Sequence, residues 1–337
     1  MTAAPKNLAP PREFRFDAYV SGIGFEPKSN TFGFAVGDGT LRVIGEVEKT
    51  IAVHKGAALS FALDIKNGAF LTGGDDGRLC RVTPDGAVTE LLVLKGRWIE
   101  RLSAHPVTGL IAAPVGKEIH LLGGAEPLRL GPCPTTVSDA VFSPDGSRIA
   151  GAHYGGVMIW NLQQPATPPR KLPWKGSHLY LSYAPGGRFL ASSMQEMALH
   201  CWRLADGSDM QMSGYPAKVK AMAWTPDAKF LVSSGAPGFV CWPFVGKGPQ
   251  GKPPVEFSGR KEDVMVTMVA AHPKASMIAA GYADGHVEVG DPEQKKILPL
   301  AVALTAPVSA LAWSPDGRFL AAGTETGEAA IYDLQLR

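Results

Sequence analysis

The sequence predicts an all-β fold: eight four-stranded antiparallel sheets set around one axis and closed into a ring. Three observations carry that prediction. A proline-turn segment returns eight times, short apolar strands flank each copy, and no stretch of useful length has helical period. One four-stranded sheet cannot bury both of its faces. Stacking each sheet against its neighbours around an axis buries them and leaves only short edges. The expected architecture is therefore an eight-bladed β-propeller.

The repeat is visible in VFSPDGSRIAGAH at 141–153, SYAPGGRFLASSM at 182–194, AWTPDAKFLVSSG at 223–235 and AWSPDGRFLAAGT at 312–324. Aligned on the turn, the anchors are Pro27, Lys66, Pro106, Pro144, Pro185, Pro226, Pro273 and Pro315, at gaps of 39, 40, 38, 41, 41, 47 and 42 residues. The copies at Lys66 and Pro106 are degenerate. Each unit starts with a strand such as VSALAW at 308–313. In the turn that follows, proline fixes φ and glycine tolerates a positive φ. A second strand, FLAAG at 319–323, leads through a tight turn to a third, AAIYDL at 329–334. The turns VGDGT at 36–40, DDGR at 75–78 and YADGH at 282–286 carry the Asp-Gly hairpin signal. A variable fourth strand follows, as in TIAVH at 50–54 and KKILPL at 295–300.

The last unit stops after its third strand, and PREFRFDA at 11–18 alternates suitably to replace the missing one. Closure by an N-terminal strand is expected, with residues 1–10 a flexible tail and 11–337 one propeller domain. Seven blades is the alternative, with the unit near Lys66 or Pro106 the one to drop. The Gly/Pro-rich segments 161–170 and 245–255 read as loops on one rim.

Of the 337 residues, 45% are hydrophobic and 19% charged, with a formal net charge of +2. That balance gives no broad attraction to nucleic acid. Arg170, Lys171, Lys247 and Lys252 read as solvated loop residues. Cys80, Cys133, Cys201 and Cys241 lack CxxC spacing, so neither a disulfide framework nor a structural zinc site is expected. The segment MTAAPKNLAPPREF has no basic-then-apolar pattern, and no window approaches a membrane span. A cytoplasmic protein without a membrane partner is the expectation. Of the eight histidines no three converge by the alignment, so no metal is expected. HExxH, GxSxG, P-loop and dinucleotide fingerprints are missing, and no cofactor is expected.

Trp160-Asn161 and Tyr332-Asp333 close third strands, and SPDG turns stand at 143–146 and 314–317. On these features the chain resembles the WD40-repeat family over about residues 17–337, and within it divergent, single-domain bacterial members. Gly290 and Val82 depart at the Trp position, and Trp202 and Trp242 are followed by Arg203 and Pro243. The resemblance implies a polar network of His, Ser/Thr, Asp and Trp in each unit. Only the second unit approaches it, with His54, Thr72 and Asp76 but Val82 at the Trp position. Asp38 and Asp284 keep the hairpin Asp alone. Apolar packing is therefore expected to hold the blades. Trp224 and Trp313, equivalent to Phe142 and Tyr183, read as packing between neighbouring sheets. Trp160, Trp202 and Trp242 also read as structural.

The hairpin turns, and the loops that lead into each new unit, share one face. On it stand Arg97, Trp98, Trp174, Lys175, His178, Tyr215 and Asp263 from loops, with Tyr154, Met197 and Tyr282 from hairpins. Aromatic residues and arginine on loops are the residue types of binding hot spots. The resemblance implies that this face often holds a partner. The expected function is a non-catalytic, monomeric protein–protein interaction scaffold whose partner is another protein. The alternative is an enzyme or small-ligand binder using the channel mouth, and a third reading makes the partner a second copy of the chain.

Overall fold

A computed structural model of the chain describes residues 9–257, 263–301 and 303–335. Of the tail expected over 1–10, residues 1–8 lie outside the described residues.

The first strand, β1 (Arg12–Arg15), belongs to the last sheet. Sheet 1 is β2 (Val20–Glu26), β3 (Thr31–Val36), β4 (Thr40–Ile44) and β5 (Glu48–Ala52). Sheet 2 is β6 (Ala58–Asp64), β7 (Ala69–Gly74), β8 (Arg78–Val82) and β9 (Val88–Val93). Sheet 3 is β10 (Ser103–Ala104), β11 (Ile111–Val115), β12 (Glu118–Leu122) and β13 (Leu128–Leu130). Sheet 4 has six strands: β14 (Asp139–Phe142), β15 (Arg148–Asn161), β16 (Arg170–Tyr183), β17 (Phe189–Met194), β18 (Ala198–Arg203) and β19 (Asp209–Met212). Sheet 5 is β20 (Met222–Trp224), β21 (Phe230–Ser233), β22 (Val240–Pro243) and β23 (Val255–Glu256). Sheet 6 is β24 (Val266–Ala271), β25 (Ile278–Tyr282), β26 (Val287–Asp291) and β27 (Lys296–Pro299). Sheet 7 is β28 (Val308–Trp313), β29 (Phe319–Thr324), β30 (Glu328–Asp333) and β1.

Seven hydrogen-bonded sheets thus replace the eight separate four-stranded blades expected from the repeat count. The physical reason lies in β16. Its first part, Arg170 to Ser177, pairs with β15, and its second part, His178 to Tyr183, pairs with β17. Two repeat units, those anchored at Pro144 and Pro185, therefore share one continuous sheet. No Pro-Gly turn interrupts the segment PWKGSH, so the ladder passes through it. The degenerate units at Lys66 and Pro106 form sheets 2 and 3 in full.

β1 lies antiparallel to β30, with Arg12 opposite Ile331 and Arg15 opposite Glu328. It occupies the outer edge of sheet 7 and covers the edge that β30 would otherwise expose.

Between neighbouring sheets lie apolar clusters, which supply most of the burial. Phe16, Val20, Phe34, Ala321 and Ile331 fill the junction of sheets 7 and 1. Ala279, Val289, Leu320 and Tyr332 fill that of sheets 6 and 7. Each fully buried Phe, Leu or Val side chain contributes about 1.5–3 kcal/mol relative to exposure.

Hydroxyl groups at the start of first strands stitch neighbours together. Ser309 Oγ donates to Val20 O (2.7 Å), Thr267 Oγ1 to Val308 O (2.7 Å) and Ser138 Oγ to His178 O (2.5 Å). Thr267 and Ser309 are the extra residues of β-bulges in β24 and β28. A bulge re-aims its side chain, which lets the hydroxyl leave its own sheet. The tryptophans before the proline turn do the same in the other direction: the indole N–H of Trp313 donates to Ala270 O (3.1 Å) and that of Trp224 to Ser182 O (3.4 Å).

Candidate interaction face

The hairpin turns and the loops leading into each first strand pack tightly against one another. Gly39 has φ +84°, and a Cβ there would stand 2.2 Å from Gly56 O. Gly77, at φ +76°, is equally close to Leu94 O. Only glycine serves both the left-handed φ and the contact.

This scaffold decides which side chains point outward. In the loop 94–102 Ile99 is fully buried; its N–H donates to Gly74 O (3.1 Å) and its carbonyl accepts from Ser60 Oγ (2.7 Å). The anchor leaves Arg97 exposed and Trp98 63% exposed. Tyr154, 62% exposed, is held by its N–H donating to Thr135 Oγ1 (3.0 Å). Met197 is 45% exposed and sits in a hairpin at φ +53°. Lys175 and Asp263 are exposed as well. Trp174 is half-buried, its ring stacked on His200 with centroids 3.9 Å apart.

Three of the face residues expected from sequence belong to the interior instead. His178 is 1% exposed; its Nδ1 lies 2.8 Å from Ser192 Oγ and its Nε2 3.2 Å from Trp174 O. Burial lowers its pKa. Tyr215 is buried, with its hydroxyl 2.6 Å from Ser233 Oγ and accepting from Trp242 Nε1 (2.7 Å). Burial pushes its phenol up to about 12. Tyr282 is also buried and donates to Glu288. In each, a polar tip close to the face finds a partner below it, because a buried hydroxyl or imidazole without one is costly.

The polar network of the second unit forms. His54 Nδ1 is 3.0 Å from Asp76 Oδ1 and its Nε2 is 2.9 Å from Thr72 Oγ1. Asp76 also accepts the N–H groups of Lys55 and Arg78 (3.1 Å each), which hold its carboxyl below the usual range against the opposing effect of burial. Asp38 accepts from Thr40 and Arg42, and Asp284 from the His286 N–H (3.1 Å). Sequence reasoning missed two related networks: His178 with Ser192 beside Trp202, and Tyr215 with Ser233 and Trp242. The signal was present, since Ser192 and Ser233 align with Thr72. In the second network a tyrosine stands where a histidine was sought. Trp160 is buried between sheets 3 and 4, Trp202 is buried between the two halves of sheet 4, and Trp224 packs edge-on against Phe244 at 4.6 Å.

Sequence reasoning also missed Tyr19, 38% exposed, and the pair Arg101 and Tyr180. The Arg101 guanidinium lies over the Tyr180 ring, 4.3 Å from its centroid. Both line a depression of about 460 Å³ beside the first strands of neighbouring units, together with Leu59, Glu100, Thr136 and Ser138. A second depression of about 460 Å³ lies on the opposite side at the ring closure, over Phe25, Ile44 and Phe319.

Among the described residues no group of three or more His, Cys, Asp or Glu side chains is placed to hold a metal ion. All four cysteines are buried, and burial raises each thiol pKa, to about 11 for Cys80 and Cys133. No helix among the described residues is long and apolar enough to cross a membrane.

Comparison with known proteins agrees with this geometry. The family described as WD domain, G-beta repeat matches residues 126–161 and 299–333. WD repeat-containing protein 1-B of Xenopus laevis is 31% identical over 100 residues, 28% of this chain and 16% of that protein. The Chromatin assembly factor 1 subunit FAS2 homolog of Oryza sativa subsp. japonica is 28% identical over 190 residues, 53% of this chain and 34% of that protein. WD repeat-containing protein SL1-17 of Schistosoma mansoni is 29% identical over 150 residues, 44% of this chain and 48% of that protein. The chain thus spans less than half the length of these curated relatives. The crystal structure of the computationally designed Ika8 protein superposes with a TM-score of 0.76 at 17% identity, covering 95% of this chain and 97% of that one, which is a likeness of fold. The chain therefore has a WD40-type β-propeller architecture, with WD-repeat proteins among its relatives.

Proposed function

We propose that this protein is a docking scaffold that presents its hairpin face to another protein and performs no chemistry of its own. The observation that carries the reading is the sorting of exposed aromatic residues. Among the described residues, the aromatic side chains more than a third exposed are Tyr19, Trp98 and Tyr154, and all three stand on that face with Met197 beside them. Water-exposed aromatic surface gathered on one side of a rigid body is what a partner buries. In the same reading the chain is a divergent, bacterial-type member that acts as a monomer in the cytoplasm. The incomplete polar networks support divergence.

The test is affinity capture from cells of the source organism, comparing wild type with the double variant Trp98→Ala plus Tyr154→Ala, whose folding is checked by circular dichroism. A specific protein retained by wild type and lost by the folded variant is the expected result. A partner held equally by both removes this face from consideration.

A further inference from the structure

The hairpin face carries opposite charge on its two arcs. From the loop 94–102 to the loop 213–221 the outward loops bear Lys95, Arg97 and Arg101, then Lys117 at the hairpin of sheet 3. Lys175, Lys218 and Lys220 continue the arc; Glu100, Glu118 and Glu196 oppose them, and the buried Asp139 carboxyl feels Arg101. Glu196 is engaged by the neighbouring strand β16, accepting the N–H of Ser177 at 3.1 Å. The remaining arc reverses the pattern. Among the described residues its loops carry Asp263, Asp284, Glu325, Asp17 and Asp38, and then Asp75 and Asp76; Arg42 lies against Asp17 and Asp38 and Arg78 against Asp76, and Lys55 is the loop cation.

The basic arc is also unpaired. None of Lys95, Arg97, Lys117, Lys175, Lys218 and Lys220 has a carboxylate within 4.0 Å among the described residues. On the opposite face three lysines are tied down: Lys28 Nζ donates to Lys66 O (3.0 Å), Lys66 Nζ to Thr108 O (2.7 Å), and Lys229 pairs with Asp227 and Glu293. Trp98, Tyr154 and Met197 lie among the free cations, and the depression at Arg101 and Tyr180 opens on the same arc.

Resting on the docking reading above, we infer that the basic arc receives an acidic protein segment carrying apolar side chains. Carboxylates of that segment meet the unpaired cations, Arg101 being positioned for one at the depression, and its apolar residues cover Trp98 and Tyr154. The acidic arc repels the same segment and so fixes where it lies, since juxtaposed like charges select register.

The probe is a short fluorescein-labelled peptide of glutamates interrupted by leucines, followed by anisotropy. Its lysine-for-glutamate counterpart and an oligothymidylate of equal charge serve as controls. Wild type binds the acidic peptide, with affinity falling as salt rises. Lys218→Glu with Lys220→Glu weakens it by roughly tenfold or more, while Glu325→Lys on the other arc does not. Binding unchanged by the charge reversal, or tighter binding of the oligothymidylate, overturns the inference. If the peptide does not bind while the Trp98→Ala, Tyr154→Ala variant still loses its captured partner, the acidic-segment inference falls and the docking reading stands. If that variant keeps its partner, the docking reading itself falls.

Discussion

The two ends of the propeller are made from the same repeat and use their side chains in opposite ways. On the proline-turn face, residues reach sideways to the next unit. Lys28 bonds the turn at Lys66, Lys66 the loop at Thr108, and His105 Nε2 lies 3.2 Å from Pro144 O. Ser276 donates to Asp227 across the same kind of gap (3.2 Å). His272 packs edge-on against Trp313 and touches the turn at Gly317. On the hairpin face the fastening runs through the backbone of buried anchors such as Ile99 and through inward side chains such as Asp76 and Glu196, while Trp98, Tyr154 and Met197 are left to solvent. The outward side chains of the hairpin face are free to differ from unit to unit without loss of fold. That freedom is why function is sought there.

Breaking the fastened face has the largest expected effect. Gly317 has φ +79°, and a Cβ would stand 1.8 Å from His272 Nε2. Gly317→Ala strains the backbone and displaces the histidine, lowering stability by about 2–3 kcal/mol in urea unfolding. An unchanged midpoint would show that this turn is not a fastening.

A smaller effect comes from acid. Burial lowers the pKa of His54, His120, His178 and His272, and drives His200 down to about 3. Asp209 Oδ1 lies 3.4 Å from His200 Nε2 without hydrogen-bond alignment, so the ring gains little from protonation. The folded state thus binds fewer protons than the unfolded one below the ordinary histidine pKa of about 6.5. Stability is fully present above that value, starts to be lost as pH falls below it, and goes on being lost down to the lowered folded values. The melting temperature should drop between about pH 7 and pH 5, and His200→Phe should make the drop shallower. A flat profile in wild type would remove the histidines from the stability account.

The smallest effect on stability belongs to the hairpin face. Trp98→Ala and Tyr154→Ala should each shift unfolding by no more than about 0.5 kcal/mol. A loss several times larger would mean that these rings brace the loops and are not held ready for a partner.

The strand content and turn chemistry were legible because they are local: a proline, an Asp-Gly pair and alternating apolar residues act within a few positions. The number of sheets was not. Counting proline turns gives one sheet per turn, whereas the ladder through PWKGSH depends on the absence of a break between Arg170 and Tyr183. Of the candidate face, Trp98, Tyr154 and Met197 could be placed because anchors and turns hold them out. His178, Tyr215 and Tyr282 could not, because their partners Ser192, Ser233 and Glu288 come from other strands. The charge arcs appear only after the loops are arranged in order around the axis.

Closure has a consequence for synthesis. The side chains of Arg15 and Glu328, joined across the final sheet, are 313 residues apart in sequence. β1 leaves the ribosome long before its partner β30. At roughly 5–20 residues per second, that interval is on the order of 15–60 s. Throughout it a strand bearing Phe14 has no ladder to join, while completed sheets accumulate behind it. The ring closes only when β1 meets β30, so translation speed between them, or a chaperone that shields Arg12–Arg15, sets how often the ring shuts on itself and not on a neighbour.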